Sequence, residues 1–169
     1  MKKLILAITI LTLQACGAIQ YKPETYEISA ERIQDFPLSG TVTVSNDQPD
    51  KTPTAFFDSG AAQFMGTYNE VSEHMAKQLS AEISKHGQVQ SSSGQKTISV
   101  KITRLHARQH IFHFTSEMNF TVKLGNGETL EKFVSQGSPA NMYRVLNGTI
   151  ALGVIEILKD PQVLNYLAQ

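Results

Sequence analysis

Three histidines occur within a stretch of eight residues, at positions 106, 110 and 113, and imidazole is the commonest transition-metal ligand in proteins. On a helix, the four-residue spacing of His106 and His110 would place both rings on one face. The residues from Arg104 to Thr115 instead link two predicted strands, and in an extended chain His106 and His110 lie about 13 Å apart. No HExxH pattern occurs, and no cysteine or close carboxylate completes a ligand set. We therefore expect no metal site or other cofactor, and we interpret His106, His110 and His113 as residues of a polar face or loop.

A second candidate for chemistry is Phe57-Asp58-Ser59-Gly60-Ala61, which resembles the Asp-Ser/Thr-Gly signature of aspartic proteases. That chemistry needs two carboxylates that share one proton, and the chain carries no second copy of the signature. Only a homodimer would supply the second carboxylate. A capped helix also begins soon afterwards, at Thr67, where a protease would continue as β-structure. We therefore interpret the motif as a turn between a strand and a helix, and we predict no catalytic residue.

The start of the chain carries the most specific motif. Met1-Lys2-Lys3 is cationic, residues 4–13 form an almost unbroken apolar run too short to span a membrane, and Leu13-Gln14-Ala15-Cys16 follows. The last four residues resemble the lipobox of bacterial lipoproteins. The resemblance implies that the Cys16 thiol is acylated and that the signal is removed just before it. A residue other than Asp after the cysteine, here Gly17, implies export to the outer membrane by similarity to enterobacterial sorting.

Charge and cysteine content restrict the partners of the mature chain. Removal of Lys2 and Lys3 with the signal lowers the basic residues from 15 to 13 against 15 acidic ones, so the net charge becomes −2. No basic stripe suits nucleic acid, and we expect no nucleic-acid partner. Acyl chains must provide the attachment to the membrane, because a weakly negative surface is not attracted to anionic lipid. Cys16 is the only cysteine, so no internal disulfide forms.

The chain divides into three parts on this interpretation. Residues 1–15 are the signal peptide, and residues 16–37 are the lipidated cysteine and a polar tether, because Ala18 to Pro37 shows no sustained hydrophobic period. Residues 38–169 form a single domain, which is of ordinary size. We expect this domain to face the periplasm from the outer membrane.

The helices of the domain have clear signals. Thr67-Tyr68-Asn69-Glu70 fits a capping box, and an apolar stripe then predicts a helix at residues 68–86 that ends at a left-handed Gly87. A broad apolar face predicts a second helix between Asn141 and Leu158. Asp160-Pro161 predicts the N-cap and first residue of a short closing helix.

Alternating apolar and polar residues predict strands. The candidates are Leu38–Ser45, residues 98–103, residues 118–124 and Thr129–Ser135, the last two joined by a turn at Gly125-Asn126-Gly127. Because only the alternate positions are apolar, the sheet is expected to be covered on one side. The order of elements predicts an α+β two-layer sandwich, in which two main helices pack on one face of a mainly antiparallel four-stranded sheet.

The lipobox, the capped helix and the C-terminal part of the chain together resemble the YajG-like small outer-membrane lipoproteins of Gram-negative bacteria. The resemblance covers residues 67–167 and rests mainly on Asn141-Met142-Tyr143-Arg144-Val145-Leu146-Asn147 and Ile155-Glu156-Ile157-Leu158-Lys159-Asp160-Pro161. Where that family would have an aspartate and an arginine close together after the first strand, this chain has Asp58-Ser59-Gly60. The resemblance implies an outer-membrane location and no catalytic residues.

Three classes of function follow. The favoured class is a non-enzymatic, periplasm-facing accessory lipoprotein that binds an envelope protein or envelope component through its exposed sheet face or edge strand. The second is the auxiliary lipoprotein of an envelope transport system. The remote alternative is a hydrolase built on Asp58 or on the histidines. The sequence does not identify the ligand, the oligomeric state or the orientation across the outer membrane.

Overall fold

The computed structural model describes residues 17–169, apart from the side chains at positions 92 and 93, and belongs to the predicted α+β class. Seven strands and three helices follow one another, with a 3-10 turn at Ala30–Arg32 between the first two strands. The elements are β1 (Gly17–Gln20), β2 (Phe36–Asn46), β3 (Thr54–Asp58), β4 (Ala62–Gly66), α1 (Tyr68–His86), β5 (Gly87–Gln109), β6 (Phe114–Leu124), β7 (Thr129–Ser138), α2 (Met142–Leu158) and α3 (Pro161–Ala168).

The main sheet has four strands in the order β2-β5-β6-β7. The pairs β5-β6 and β6-β7 are antiparallel, as hairpins require, and Gly127 supplies the positive φ of 95° in the β6-β7 turn. The pair β2-β5 is parallel, because the chain crosses over through β3, β4 and α1 before it returns as β5. The main sheet is therefore mixed, whereas we expected a mainly antiparallel one. Alternation of residues along a strand carries no information on the direction of its neighbour.

A second sheet, which the sequence did not lead us to expect, has three strands in the order β1-β4-β3. Strand β1 runs parallel to β4, with Gly17 opposite Ala62, and β3 runs antiparallel to β4. These strands have only four or five residues each. Four or five residues are too few to distinguish an alternation of apolar and polar residues from chance.

The prediction of a polar tether over residues 16–37 is wrong for the part that the structure describes. Gly17 already belongs to β1, and four apolar side chains of the segment are buried in the core, namely those of Tyr21, Ile28, Ile33 and Phe36. Single apolar residues at irregular spacing give no periodic signal, although each one has its own site on the domain. The folded unit therefore includes residues 17–37, which we had assigned to the tether.

Helix α1 has the predicted bounds, and its N-terminus carries the predicted cap. Thr67 Oγ1 accepts a hydrogen bond from the Glu70 amide at 3.1 Å, and it donates to the Glu70 carboxylate at 3.1 Å. The C-terminus differs from the prediction, because Gly87 has φ −75° and ψ 115° and passes directly into β5. A Cβ atom at Gly87 would lie 2.7 Å from the Ile83 carbonyl oxygen and 2.9 Å from Leu38 Cδ2. Close packing, not a left-handed turn, is the reason for glycine here.

Helices α1 and α2 pack beside each other on the main sheet, α1 over β2 and β5 and α2 over β6 and β7. Both helices match the predicted elements, as does α3, in which Asp160 Oδ1 accepts from the Gln162 amide at 2.7 Å. The apolar positions of the strands face the helices and are buried, and the alternate positions form an open face. One-sided coverage thus agrees with the alternation of the sequence.

Candidate functional site

The predicted lipidation site, Cys16, lies outside the described residues, but its successor, Gly17, is a residue of β1. Gly17 pairs with Ala62, and Ile19 pairs with Phe64, in the three-stranded sheet. Successive Cα atoms are about 3.8 Å apart. The predicted lipidation site is therefore adjacent to β1 along the chain.

The N-terminal segment is fastened to helix α2 by a buried polar contact. The Tyr21 hydroxyl donates to Asn147 Oδ1 at 2.6 Å, and the Glu24 amide donates to the same oxygen at 3.2 Å. The Tyr21 ring also meets the rings of Phe56 and Tyr143 at centroid distances of 6.0 and 6.1 Å. Burial, and secondarily the nearby charge of Glu24, raise the pKa of Tyr21 far above its usual range, so this phenol is a permanent donor.

Asp58 lies in the tight turn of the β3-β4 hairpin, and not between a strand and a helix as expected. Its carboxylate accepts from the Gly60 amide at 2.7 Å and from Gln63 Nε2 at 2.7 Å. The hydrogen bond from the Gly60 amide and, to a smaller extent, the one from Gln63 hold the pKa of Asp58 below its usual range. These bonds favour the ionised form, whereas a carboxylate that shares a proton in a protease has one raised pKa. The motif closes an Asx-type turn.

The histidine stretch differs in structure from the predicted linker. Strand β5 continues to Gln109, so His106 is a strand residue paired with Glu117, and only residues 110–113 form the connection. The rings of His110 and His113 stack with centroids 4.5 Å apart and planes inclined by 9°. Within residues 17–169, no group of three or more histidine, cysteine, aspartate or glutamate residues is arranged to hold a metal ion.

The β5-β6 connection carries the most exposed large apolar side chains of the described chain. We call residues 110–113 the tip. Ile111 is 89% exposed and Phe112 is 86% exposed. The base of the tip is closed by the His110 amide, which donates to the His113 carbonyl at 2.8 Å, and His110 Nε2 lies 3.0 Å from Thr115 Oγ1. Sequence analysis missed this site, because an apolar pair between histidines looks like an ordinary core fragment.

The open face of the main sheet is polar, with one exposed aromatic residue. Across β5, β6 and β7, Arg104 is aligned with Asn119 and Phe133, and His106 is aligned with Glu117 in the adjacent row. The Phe133 side chain is 58% exposed although it lies within a strand. An exposed aromatic ring in the same row as an arginine is a suitable anchor for a protein contact.

A cleft of about 480 Å³ lies at the other end of the sheet, between the N-terminal segment and the end of α2. Its wall includes the charged residues Arg32, Asp35 and Lys159. Behind it, the buried ring of His86 lies 3.1 Å from the Asp35 carboxylate and 3.4 Å from the Glu82 carboxylate. The mixed charge of the cleft selects no single class of ligand.

Comparison with known proteins leaves the family of the chain open. In the range that the structure describes, no helix is long and apolar enough to cross a membrane. No protein-family model matches the sequence, and no curated protein matches it. Among solved structures, the chain is similar to the lipoprotein GNA1162 from Neisseria meningitidis, at 13% identity and a TM-score of 0.32, over 71% of this chain and 96% of that one. The resemblance to YajG-like lipoproteins therefore rests on the sequence motifs alone.

Proposed function

We propose that the protein is a lipid-anchored accessory lipoprotein of the bacterial outer membrane, whose domain faces the periplasm and binds an envelope protein or envelope component. The observation that carries the proposal is the run Leu13-Gln14-Ala15-Cys16 after a cationic start and an apolar segment. The location of Gly17 in β1 is compatible with it, because cleavage before Cys16 would leave every described strand and helix in the mature chain. The acyl chains would supply stable attachment to the membrane.

The anchor is tested with two variants of the full precursor. Cys16→Ser should abolish acylation and leave an unprocessed precursor, which intact-mass measurement distinguishes from the lipidated mature chain. Replacement of residues 1–16 by a cleavable signal should release a soluble periplasmic domain. If the signal-exchanged protein still fractionated with membranes and resisted salt extraction, a lipid at Cys16 would not be the anchor.

The choice of membrane is tested at Gly17. A Cβ atom built there meets nothing within 4 Å, so substitution leaves the fold unchanged. Gly17→Asp should retain the protein at the inner membrane, and the isosteric Gly17→Asn should serve as the control for the charge. The inner and outer membranes are separated on a density gradient, and the fraction that contains each variant is measured. An outer-membrane location for Gly17→Asp would contradict the sorting argument, although not the lipid anchor.

The open sheet face is the surface we assign to partner binding. It is the uncovered side of a sheet whose other side is buried under two helices, and it exposes Phe133 beside Arg104. Aromatic and arginine side chains are enriched among residues that contribute most to protein interfaces. Strand β7 also lies at the edge of the sheet, where an extended segment of a partner would add a strand.

A photo-reactive amino acid at position 133 tests this assignment in intact envelopes. We expect a discrete cross-linked product that Arg104→Gln weakens, and no equivalent product from position 89, whose valine is 67% exposed on the N-terminal part of β5. A transporter subunit as the cross-linked species would make the protein an auxiliary component of that transport system. Equal cross-linking from positions 133 and 89 would contradict a specific role of the open face.

A further inference from the structure

The tip is an apolar projection. The hydrogen bond between His110 and His113 and the stacking of their rings close its base, and Ile111 and Phe112 protrude from it. Nothing in the described chain covers these two adjacent side chains, so both are almost fully exposed to solvent. Adjacent large apolar side chains with such exposure are unusual on the surface of a soluble domain. The projection therefore has the form of a small apolar wedge.

The charged residues of the hairpin next to this wedge have one sign. Residues 103–116 contain Arg104, Arg108 and three histidines, and no aspartate or glutamate. The neighbouring end of β7 and the turn after it, residues 133–140, contain no charged residue. The nearest carboxylate along the hairpin belongs to Glu117, one residue beyond that range. An apolar tip with basic residues behind it matches the headgroup region of a bilayer, where phosphates lie above the acyl chains.

The start of the domain lies at the same end of the sheet as the tip. Ile19 pairs with Phe64, whose ring meets that of Tyr143 at a centroid distance of 5.1 Å, in the first turn of α2. Helix α2 begins shortly after β7 ends at Ser138, and Ser138 pairs with Phe114, next to the tip. A short series of contacts thus connects the residues that follow Cys16 to the base of the tip.

We propose that the tip is a second membrane contact, in which Ile111 and Phe112 insert into the phospholipid leaflet that holds the acyl chains and Arg108 meets lipid phosphates. The proposal rests on the proposed lipid anchor, because acylation at Cys16 without a tether brings this end of the domain to the bilayer. Two contacts would fix the orientation of the domain. The strands of the main sheet would then point toward the membrane, and the open face would be presented to partners alongside it.

Tryptophan fluorescence tests the insertion, because the chain contains no tryptophan. Phe112→Trp places an indole in the tip, and Val89→Trp places one at an exposed site in the N-terminal part of β5, the strand that leads to the tip. Each full-length variant is expressed with its signal, purified after processing and reconstituted into phosphatidylethanolamine and phosphatidylglycerol vesicles with or without brominated acyl chains. Intact mass on the same samples reads acylation, and thermal melts confirm that both variants fold.

We expect a blue-shifted emission and strong quenching by brominated lipid at position 112, and neither effect at position 89. An acylated, vesicle-bound protein whose position-112 indole is not quenched would overturn the tip contact and leave the anchor standing. A chain without acyl groups whose position-112 indole is quenched would retain the tip contact and overturn the anchor. Absence of both acylation and quenching would overturn both proposals, and equal quenching at positions 112 and 89 would overturn the specific orientation.

Discussion

The Tyr21 hydroxyl and the Asn147 side chain, 126 residues apart in the chain, form a buried hydrogen bond of 2.6 Å. Tyr21 is the fifth residue after Cys16, and Asn147 lies in the second turn of α2. The bond therefore joins the N-terminal segment to the helix that covers β6 and β7. It fastens the N-terminal segment to the rest of the fold.

Removal of the Tyr21 hydroxyl should lower the free energy of unfolding less than removal of the Asn147 side chain. Tyr21→Phe keeps the ring contacts and loses one hydrogen bond, so we expect the free energy of unfolding to fall by about 1 kcal/mol. Asn147→Ala leaves both the Tyr21 hydroxyl and the Glu24 amide without their acceptor, and we expect a loss of about 2–4 kcal/mol. Urea unfolding of the domain from residue 17 onward measures both values. Equal losses would show that the Glu24 amide finds another acceptor.

His74 should make the domain sensitive to mild acid. Burial, only partly offset by a hydrogen bond with the backbone of Glu24 and reinforced by Lys77, lowers the pKa of this histidine in the folded state. A histidine with a lowered folded pKa is charged more readily when unfolded, so its protonation destabilises the fold as the pH falls below the unfolded value of about 6.5. The melting temperature of the wild type should therefore fall more between about pH 7.5 and pH 5 than that of His74→Gln.

A matched control for this measurement is His113→Gln, at an exposed position in the tip. We expect its pH dependence to follow that of the wild type. If His74→Gln and the wild type lost the same stability on acidification, the acid sensitivity would originate elsewhere in the domain.

Lys132 and Asp160 join β7 to the start of helix α3. Burial raises the pKa of the Asp160 carboxyl, but the bonds from the Lys132 ammonium and from the amides of Gln162 and Val163 outweigh burial, and the net pKa is lowered. A carboxyl with a lowered folded pKa stabilises the fold above its unfolded pKa of about 3.9, and that contribution disappears as the pH falls through the folded value.

Asp160→Ala should therefore be more damaging than Lys132→Met at neutral pH. The alanine variant loses both the ion pair and the N-cap, of which the cap alone is worth about 0.5–2 kcal/mol, whereas the methionine variant keeps the cap. The difference between the wild type and Asp160→Ala should shrink as melts are repeated at successively lower pH below the unfolded pKa of about 3.9, since the carboxyl becomes protonated in the folded chain as the pH falls through its lowered folded pKa. A constant difference would show that charge is not the origin of the effect.

Much of the architecture follows from the sequence because the helices and long strands repeat their signals. The stripe of α1 begins at Thr67 and ends at Gly87, and Asp160-Pro161 starts α3, so caps and period agree with each other. The alternation in β6 predicts a buried and an open face, and the structure has both. Such elements are determined by local chemistry that a single sequence displays.

The second sheet and the tip did not follow from the sequence, for physical reasons that differ. Tyr21 is buried because Asn147 and Phe56 surround it, and that contact between distant residues has no local signal. Phe112 is exposed because the hairpin turns at its position, although its composition suggests core. Both facts depend on tertiary structure, and the two proposed membrane contacts are argued from them.

The same substitution should strongly destabilise the fold at one isoleucine and have almost no effect on stability at another. Ile157 in α2 is 0% exposed, and Ile157→Asp would bury a charge without a partner, at a cost of several kcal/mol against a total stability of about 5–15 kcal/mol. Ile111 in the tip is 89% exposed, so Ile111→Asp should change the free energy of unfolding by less than about 0.5 kcal/mol. Its melting temperature should therefore stay close to that of the wild type. Thermal melts of the domain rank the two variants.

The same pair separates the folding role of apolar residues from their membrane role. Ile111→Asp should leave the fold intact yet repel the tip from the lipid, because an aspartate opposes both the acyl chains and the lipid phosphates. When Ile111→Asp is combined with Phe112→Trp, quenching of the indole by brominated lipid should be lost while the acylated protein stays on the vesicles. An unchanged quenching signal in this double variant would mean that the tip does not use its apolar residues to meet the membrane.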